Sequence, residues 1–184
     1  FYGAWLCAFA IKYSYYPAFD GKGAQPGTIK LAELAKKRWK AKNLGIYVPR
    51  LMRNSHTKGK KIGDPGMEKW LSVHSTGAAI DLGYSRRKVG VAMWDWFLAH
   101  TEELGIEEMH DYAFDRNIRD RKTGYGRGFR CSRGENSAGV KIFTATDNAG
   151  SFGGKWLHVE ISPSMCKNAD KFSKAWDAAM AKTA

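Results

Sequence analysis

Two imidazoles and one carboxylate, carried on two short and distant stretches of this chain, make up the donor set of a catalytic metal site. The first stretch, Ser72-Val73-His74-Ser75-Thr76-Gly77-Ala78-Ala79-Ile80-Asp81, holds His74 and Asp81; the second, Trp156-Leu157-His158-Val159-Glu160, holds His158. Two His nitrogens and an Asp oxygen are three ligands of the kind a catalytic zinc uses, with the fourth tetrahedral position left open for water. The same donors suit zinc without excluding other divalent metals. Taken singly, a His or an Asp is an ordinary hydrogen-bonded residue; the whole string, with a later His-x-Glu on an apolar segment, singles these out.

The elements that must position them follow from local pattern. Residues 78–82 read as a strand, with Gly77 and small residues where a metal must approach backbone. Alternation puts Ala79 and Asp81 on one face of it. In the second stretch Trp156, His158 and Glu160 share one face, and Leu157, Val159 and Ile161 form an apolar underside. Glu160 therefore lies on the ligand's side of its strand.

The Ser-x-His-x-x-Gly-x-Ala-x-Asp string and the later His-x-Glu resemble the LAS-type zinc peptidases: lysostaphin, the D-Ala-D-Ala carboxypeptidases, the L-Ala-D-Glu peptidases of phage endolysins, and the N-terminal signalling domain of hedgehog. The match is close over residues 66–81 and extends at lower grade from 44 to 162. The resemblance implies that His74, Asp81 and His158 bind Zn2+ and that Ser72 shapes the substrate site. It also implies an Arg ahead of the first ligand that polarises the substrate carbonyl. Arg53, followed by Asn54-Ser55, is the better match for that residue, and Arg50 is the reserve.

One departure stands out. The bacterial and phage peptidases usually carry a Glu three residues before the last His ligand as general base, and here Lys155 occupies that position. A protonated lysine cannot accept a proton, and a nearby metal cation would repel it. Three explanations compete: Glu160 takes the proton, another residue such as His110 or Asp111 supplies the base, or the domain binds its ligand without cutting it.

At 184 residues and 43% apolar, the chain is long enough for one domain with a real core. It reads as a single unit over 1–184, with an N-terminal apolar segment and loop over 1–27 and a main body over 28–184. Residues 1–11 are apolar and aromatic yet too short to span a bilayer; they read as a core strand or helix, in a chain that begins inside a longer product or after processing. Three widely spaced cysteines, Cys7, Cys131 and Cys166, imply neither a disulfide framework nor a Cys-x-x-Cys clip, and point to synthesis in a reducing compartment. Thirty basic against 18 acidic residues give a net charge of +12, which favours an acidic or polyanionic partner. Peptidoglycan stems with their anionic surroundings and nucleic acid both satisfy that.

Around the motifs, residues 20–27 form a turn-rich loop, and Leu31, Leu34, Ala35 and Trp39 fall at helical spacing with Lys36, Lys37, Arg38 and Lys40 on other faces. Residues 44–52 read as a strand interrupted by Pro49, and 54–66 as a polar loop in front of the site. Ser85 is placed to cap a helix over 86–104 whose buried stripe is Val89, Ala92, Met93, Trp96, Phe97 and His100 or Leu104, ended by Gly105. A strand over 106–114 follows, in which His110 is a candidate substrate-binding or proton-transfer residue. Residues 115–139 form an irregular basic loop with Arg116, Arg119, Arg121, Lys122, Arg127, Arg130 and Arg133 among aromatics, a composition that suits single-stranded nucleic acid or one wall of a substrate groove. Residues 140–144 return to strand, 150–154 turn, and Asn168 starts a closing helix through Phe172, Ala175, Trp176, Ala179 and Met180.

The expected fold is α+β, a central antiparallel sheet carrying the metal on one face with helices on the other. The resemblance implies a zinc peptidase that cuts an amide in bacterial peptidoglycan stem peptides, phage-encoded or bacterial, acting at the cell wall after synthesis in host cytoplasm or from the virion. A zinc module that binds the wall or builds a phage particle without cleaving is the alternative. A nucleic-acid-binding protein using the basic loop is the third reading, and it leaves the His and Asp pattern unexplained.

Overall fold

In a computed structural model of the chain, residues 23–114, 125–143 and 154–183 are described, and they form an α+β arrangement. In chain order the elements are α1 (Pro26–Trp39), β1 (Lys42–Gly45), β2 (Ala79–Gly83), α2 (Arg87–Ala99), β3 (Ile106–Asp111), β4 (Arg127–Arg130), β5 (Val140–Ile142), β6 (Trp156–Ile161), α3 (Pro163–Cys166) and α4 (Ala169–Ala181). The strands build a six-stranded sheet in the order β1-β2-β6-β3-β4-β5, antiparallel at every pairing. The last strand thus inserts between β2 and β3. That insertion places Asp81 directly opposite His158, and His158 opposite His110, although the three are far apart in sequence.

Alternation along each strand divides the sheet into two chemically different faces. One face is apolar: Ile80, Leu82, Leu157, Val159, Ile161, Met109 and Phe129 are all 2% exposed or less. The helices cover it. Full burial of each such side chain contributes roughly 1.5–3 kcal/mol, so this face supplies the core. The other face carries Asp81, His158, His110, Glu160, Glu108 and Arg130, aligned across the strands by the register.

Pro26 occupies the first turn of α1, where its missing N–H costs nothing, and Leu31 and Ala35 are fully buried beneath it. A Cβ on Gly27 would lie 1.9 Å from the Met165 carbonyl oxygen, so only glycine lets α1 rest on α3. Asn168 caps α4 by accepting from the Lys171 N–H at 2.9 Å, and Phe172, Trp176 and Ala179 point inward. Trp39 meets Trp96 and Trp176 edge-on at 5.3 and 5.7 Å between ring centroids, and Trp96 and Trp176 meet in a tilted contact at 4.6 Å, tying α1, α2 and α4 together. No described helix is long and apolar enough to cross a membrane. Cys131 and Cys166 are buried, and the Cys166 thiol faces the Pro163 carbonyl oxygen at 3.5 Å.

Several boundaries differ from the sequence reading, each for a physical reason. The turn over 20–27 gives way to α1 already at Pro26. The strand expected over 44–52 is instead β1 over Lys42–Gly45, ended by a register shift and by Gly45 at φ 154, beyond which only Leu51 bridges, to Leu71. The expected 54–66 loop contains a one-turn helix over Ser55–Thr57, capped by the Asn54 side chain.

Ser85 does not cap α2. Arg86 is the N-cap residue, and the helix ends at Ala99 rather than Leu104 because His100 turns back to the Phe97 carbonyl. The buried stripe of α2 is rotated, with Gly90 and Trp94 joining Met93, Trp96 and Phe97 while Ala92 is exposed. Gly90 is required there, since a Cβ would strike the Tyr84 ring at 2.5 Å. Strand β3 stops at Asp111, three residues short of the expected end, and part of the supposedly irregular 115–139 loop is β4. Residues 1–22, with the expected N-terminal core segment, and the turn over 150–153 lie outside the described residues, as does Thr144.

Candidate metal centre

His74 is delivered by a one-turn 3-10 helix, Val73–Thr76, that lies between β1 and β2 and ends at Gly77. Gly77 adopts φ 71, and a Cβ there would lie 2.2 Å from the Gly23 carbonyl oxygen. The motif glycine therefore serves the reversal into β2 and the close approach of residues 23–25, not approach to a metal. Behind the turn, the fully buried Ser75 hydroxyl contacts the Val48 and Arg50 carbonyl oxygens at 3.1 and 2.7 Å and accepts from the Arg50 N–H at 2.8 Å. Ser75 was not singled out in the sequence. A Ser adjacent to a ligand gives no periodic signal, and only the fold shows what it clamps.

Three donor atoms converge from these elements. His158 Nδ1 lies 3.0 Å from Asp81 Oδ1 and 3.1 Å from His74 Nε2, and His74 Nε2 lies 3.5 Å from Asp81 Oδ1. A tetrahedral zinc with bonds of about 2.0–2.2 Å places neighbouring ligand atoms roughly 3.3–3.5 Å apart. The three residues thus already form a group able to hold a metal ion, nearly at the required spacing.

The far nitrogens of both rings are tied down. His74 Nδ1 donates to the Ile46 carbonyl at 3.0 Å, which leaves the Nε2 lone pair facing inward. His158 Nε2 donates to Glu160 Oε1 at 2.9 Å and so turns Nδ1 toward Asp81. Fixing a ligand imidazole through its other nitrogen is how proteins set tautomer and ring orientation at a metal. The donor set and its supports fit a divalent cation.

Electrostatics agree. Burial disfavours charge on His158, but the hydrogen bonds and charges of Asp81 and Glu160 outweigh it and push the imidazole up to about 10. Burial alone would raise the Asp81 carboxyl; His158 and His74 hold it below the ordinary carboxylate range.

Beside the triad lies a second polar group. His110 Nε2 meets Glu108 Oε1 at 2.5 Å, and Arg130 donates to Glu108 Oε2 at 2.8 Å. Burial works against the Glu108 charge, yet His110, Arg130 and His158 lower its carboxyl to about 2. The His110 ring centroid is 5.8 Å from that of His158. Gly128 lies beneath it, where a Cβ would meet Phe143 at 2.8 Å and His110 at 3.3 Å. Glu108 and Arg130 carry no motif; only strand register reveals them as partners of His110.

The remaining candidates are placed as follows. Glu160 shares the site face, with Oε1 on the opposite side of the His158 ring from the donor cluster. Ser72 is 5% exposed, its N–H donating to the Arg50 carbonyl and its own carbonyl accepting from Ser75, the contacts of a support for the His74 turn. Arg50 is exposed, and its charge is felt at the Tyr112 phenol together with those of Asp81 and Glu160. Arg53 is exposed, and no hydrogen bond or ion pair joins it to the triad among the described residues. Lys155 is exposed in the bend before β6 and holds the Tyr84 N–H through its carbonyl at 3.0 Å.

Asp111 is not available as a base. It is fully buried on the core side, gripped by Arg87 at 2.8 and 2.7 Å and by Arg127 at 3.1 Å. Arg127 also stacks on Trp94 and Phe114, each at 4.3 Å, and Arg133 donates to the Gly139 and Gly128 carbonyls. The described arginines of the basic 115–139 stretch are thus engaged within the fold, while Arg116, Arg119, Arg121 and Lys122 lie outside the described residues.

Comparison of the chain with known family models, curated proteins and solved structures finds no match.

Proposed function

We propose that this protein is a zinc-dependent peptidase acting on the stem peptides of bacterial peptidoglycan, of phage or bacterial origin. The observation that carries this reading is the convergence of His74 Nε2, Asp81 Oδ1 and His158 Nδ1 at 3.0–3.5 Å, with both imidazoles locked from behind. The motif's resemblance to LAS-type peptidases supplies the substrate class. Zinc held there would polarise an amide carbonyl and acidify a water molecule beside it.

The chain's own residues divide the remaining work. Glu160, engaged by His158 Nε2, orients a ligand rather than accepting the reaction's proton. His110 accepts the proton instead: the bond to Glu108 selects the tautomer whose lone pair is on Nδ1, and Glu108, pinned by Arg130, steadies the ring as it becomes charged. The same His110 then returns the proton to the leaving amine. In this reading Arg50, whose charge reaches the site at Tyr112, replaces Arg53 as the group that steadies negative charge on the carbonyl oxygen. Ser72 and Ser75 hold the segment that carries both Arg50 and His74.

Incubation of the zinc-loaded protein with purified peptidoglycan tests the proposal. It predicts newly freed amino groups, lost on chelation and restored by zinc. One observation favours a second reading, a zinc module that binds wall without cutting it: Lys155 stands where the similar peptidases carry their base. Binding to peptidoglycan with no release of amino groups would select that reading.

A further inference from the structure

The site face carries a third row of side chains that neither the metal triad nor the His110 pair uses. Asp81–His158–His110 is one cross-strand row and Glu160–Glu108–Arg130 the second. The β2–β6 register sets Trp156 opposite Gly83. Asp111, the last residue of β3, pairs with Leu157, and Tyr112 follows it in the turn that leaves the strand beside Trp156. Its ring lies 5.6 Å from that of Trp156 and 5.7 Å from that of His110, between the residue two before the ligand His158 and the residue beside it.

The Tyr112 hydroxyl is unusual in this setting. The carboxylates of Asp81, Glu160 and Glu108 all act on it, yet among the described residues it makes no hydrogen bond to any of them. Burial, followed by those three negative charges, drives its ionisation well above the ordinary phenol range, while Arg50 acts weakly the other way. It therefore keeps its proton at any working pH. Among the described residues this neutral O–H makes no hydrogen bond, so it is available to donate to an oxygen that a ligand brings.

We propose that Tyr112 is a substrate-polarising residue, its phenolic O–H donating to a carbonyl or anionic oxygen seated over the His74–Asp81–His158 group. This deepens the peptidase reading and rests on the same metal centre. Gly83, opposite Trp156, brings no side chain of its own to that row and is covered by Leu44, whose side chain lies 3.0 Å from where a Cβ would stand, so the phenol and the indole supply the polar groups of the row. The class of ligand is one presenting a negative or strongly polar oxygen: a peptide carbonyl, a carboxylate, or a tetrahedral oxyanion.

Cobalt-loaded protein titrated with inorganic phosphate, followed by visible absorption, reads this directly and needs no turnover. In Tyr112→Phe the aromatic packing is kept, so the cobalt content and resting spectrum should match the wild type, which also certifies that the variant is folded. Its phosphate dissociation constant should rise about ten- to hundredfold, the loss of one hydrogen bond to a charged acceptor. Equal phosphate affinity in the two proteins overturns the assignment, as does a wild type that binds no cobalt or no phosphate. If phosphate binding depends on Tyr112 but peptidoglycan is not cleaved, the Tyr112 assignment stands and the peptidase reading falls. Where cleavage is present, Tyr112→Phe should lower kcat far more than it raises KM.

Discussion

His158 and Glu160, two residues apart on β6, are joined by a 2.9 Å hydrogen bond from imidazole Nε2 to carboxylate Oε1, and the same ring meets Asp81 through Nδ1 at 3.0 Å. One imidazole is thereby held between two carboxylates, one in the donor cluster and one behind it. In the proposed function this pairing gives Glu160 an orienting role and His110 the proton transfer, a division that mutation can separate.

Glu160→Gln should weaken metal affinity about 10–100-fold while cleavage per bound metal persists, because Gln can still accept from His158 Nε2 but no longer reinforces its basicity. His110→Ala should keep the metal and lose about 10²–10⁴-fold in kcat. Metal content by mass spectrometry, measured beside amino-group release, distinguishes the two. The opposite pattern, with Glu160→Gln fully metallated and inactive and His110→Ala active, would return the base to Glu160.

Metal binding should release about one proton near neutral pH. Without metal, His158 titrates at about 10 against an ordinary 6.5, so its Nδ1 carries the proton that a metal must displace. Affinity should therefore climb with pH, by up to about tenfold per unit, and level off near pH 10. The metal-free fold shows the converse linkage: the raised folded pKa adds stability that is complete below about 6.5 and lost as pH rises through about 10. Calorimetry of zinc binding in buffers of different ionisation enthalpy measures the proton directly. No release at pH 7 would contradict the shift.

Asp111→Ala should cost about 3 kcal/mol in denaturant unfolding, near the lower limit for a broken buried ion pair. The lower limit applies because Arg87, 37% exposed, can turn to water, whereas Arg127 at 16% is left beneath Trp94 and Phe114 without its counter-charge. Metal affinity should change little, since Asp111 sits on the core side of the sheet.

Gly77→Ala should destabilise the fold by about 1–3 kcal/mol and reduce metal occupancy together. The substitution forces a side chain into φ 71 and into the Gly23 carbonyl, at the end of the turn that presents His74. Unfolding and metal content measured on one preparation check the linkage.

Much of the candidate site was legible in the chain because two of its three candidate ligands, Asp81 and His158, sit on strands with a period of two. Alternation over Trp156–Ile161 alone placed His158 and Glu160 on one face above Leu157 and Val159, and the spacing of His74 and Asp81 matched a specific motif. Helices α1 and α4 were readable from apolar spacing and, for α4, the Asn168 cap. What escaped depends on contacts between distant segments. The rotated face of α2 is decided by Tyr84 packing on Gly90, and the roles of Glu108, Arg130 and Tyr112 by the insertion of β6 beside β3. The ends of β1 and β3 were misjudged because apolar residues continue past the point where pairing partners run out.

The most direct test is the metal content and X-ray absorption spectrum of protein dialysed against zinc and then freed of excess. One zinc per chain, bound by two imidazoles and further oxygen donors, and absent from His74→Ala, is the predicted result. Protein that takes up no stoichiometric zinc or other divalent metal, or a His74→Ala variant that binds it unchanged, would contradict the metal centre and the peptidase reading built on it.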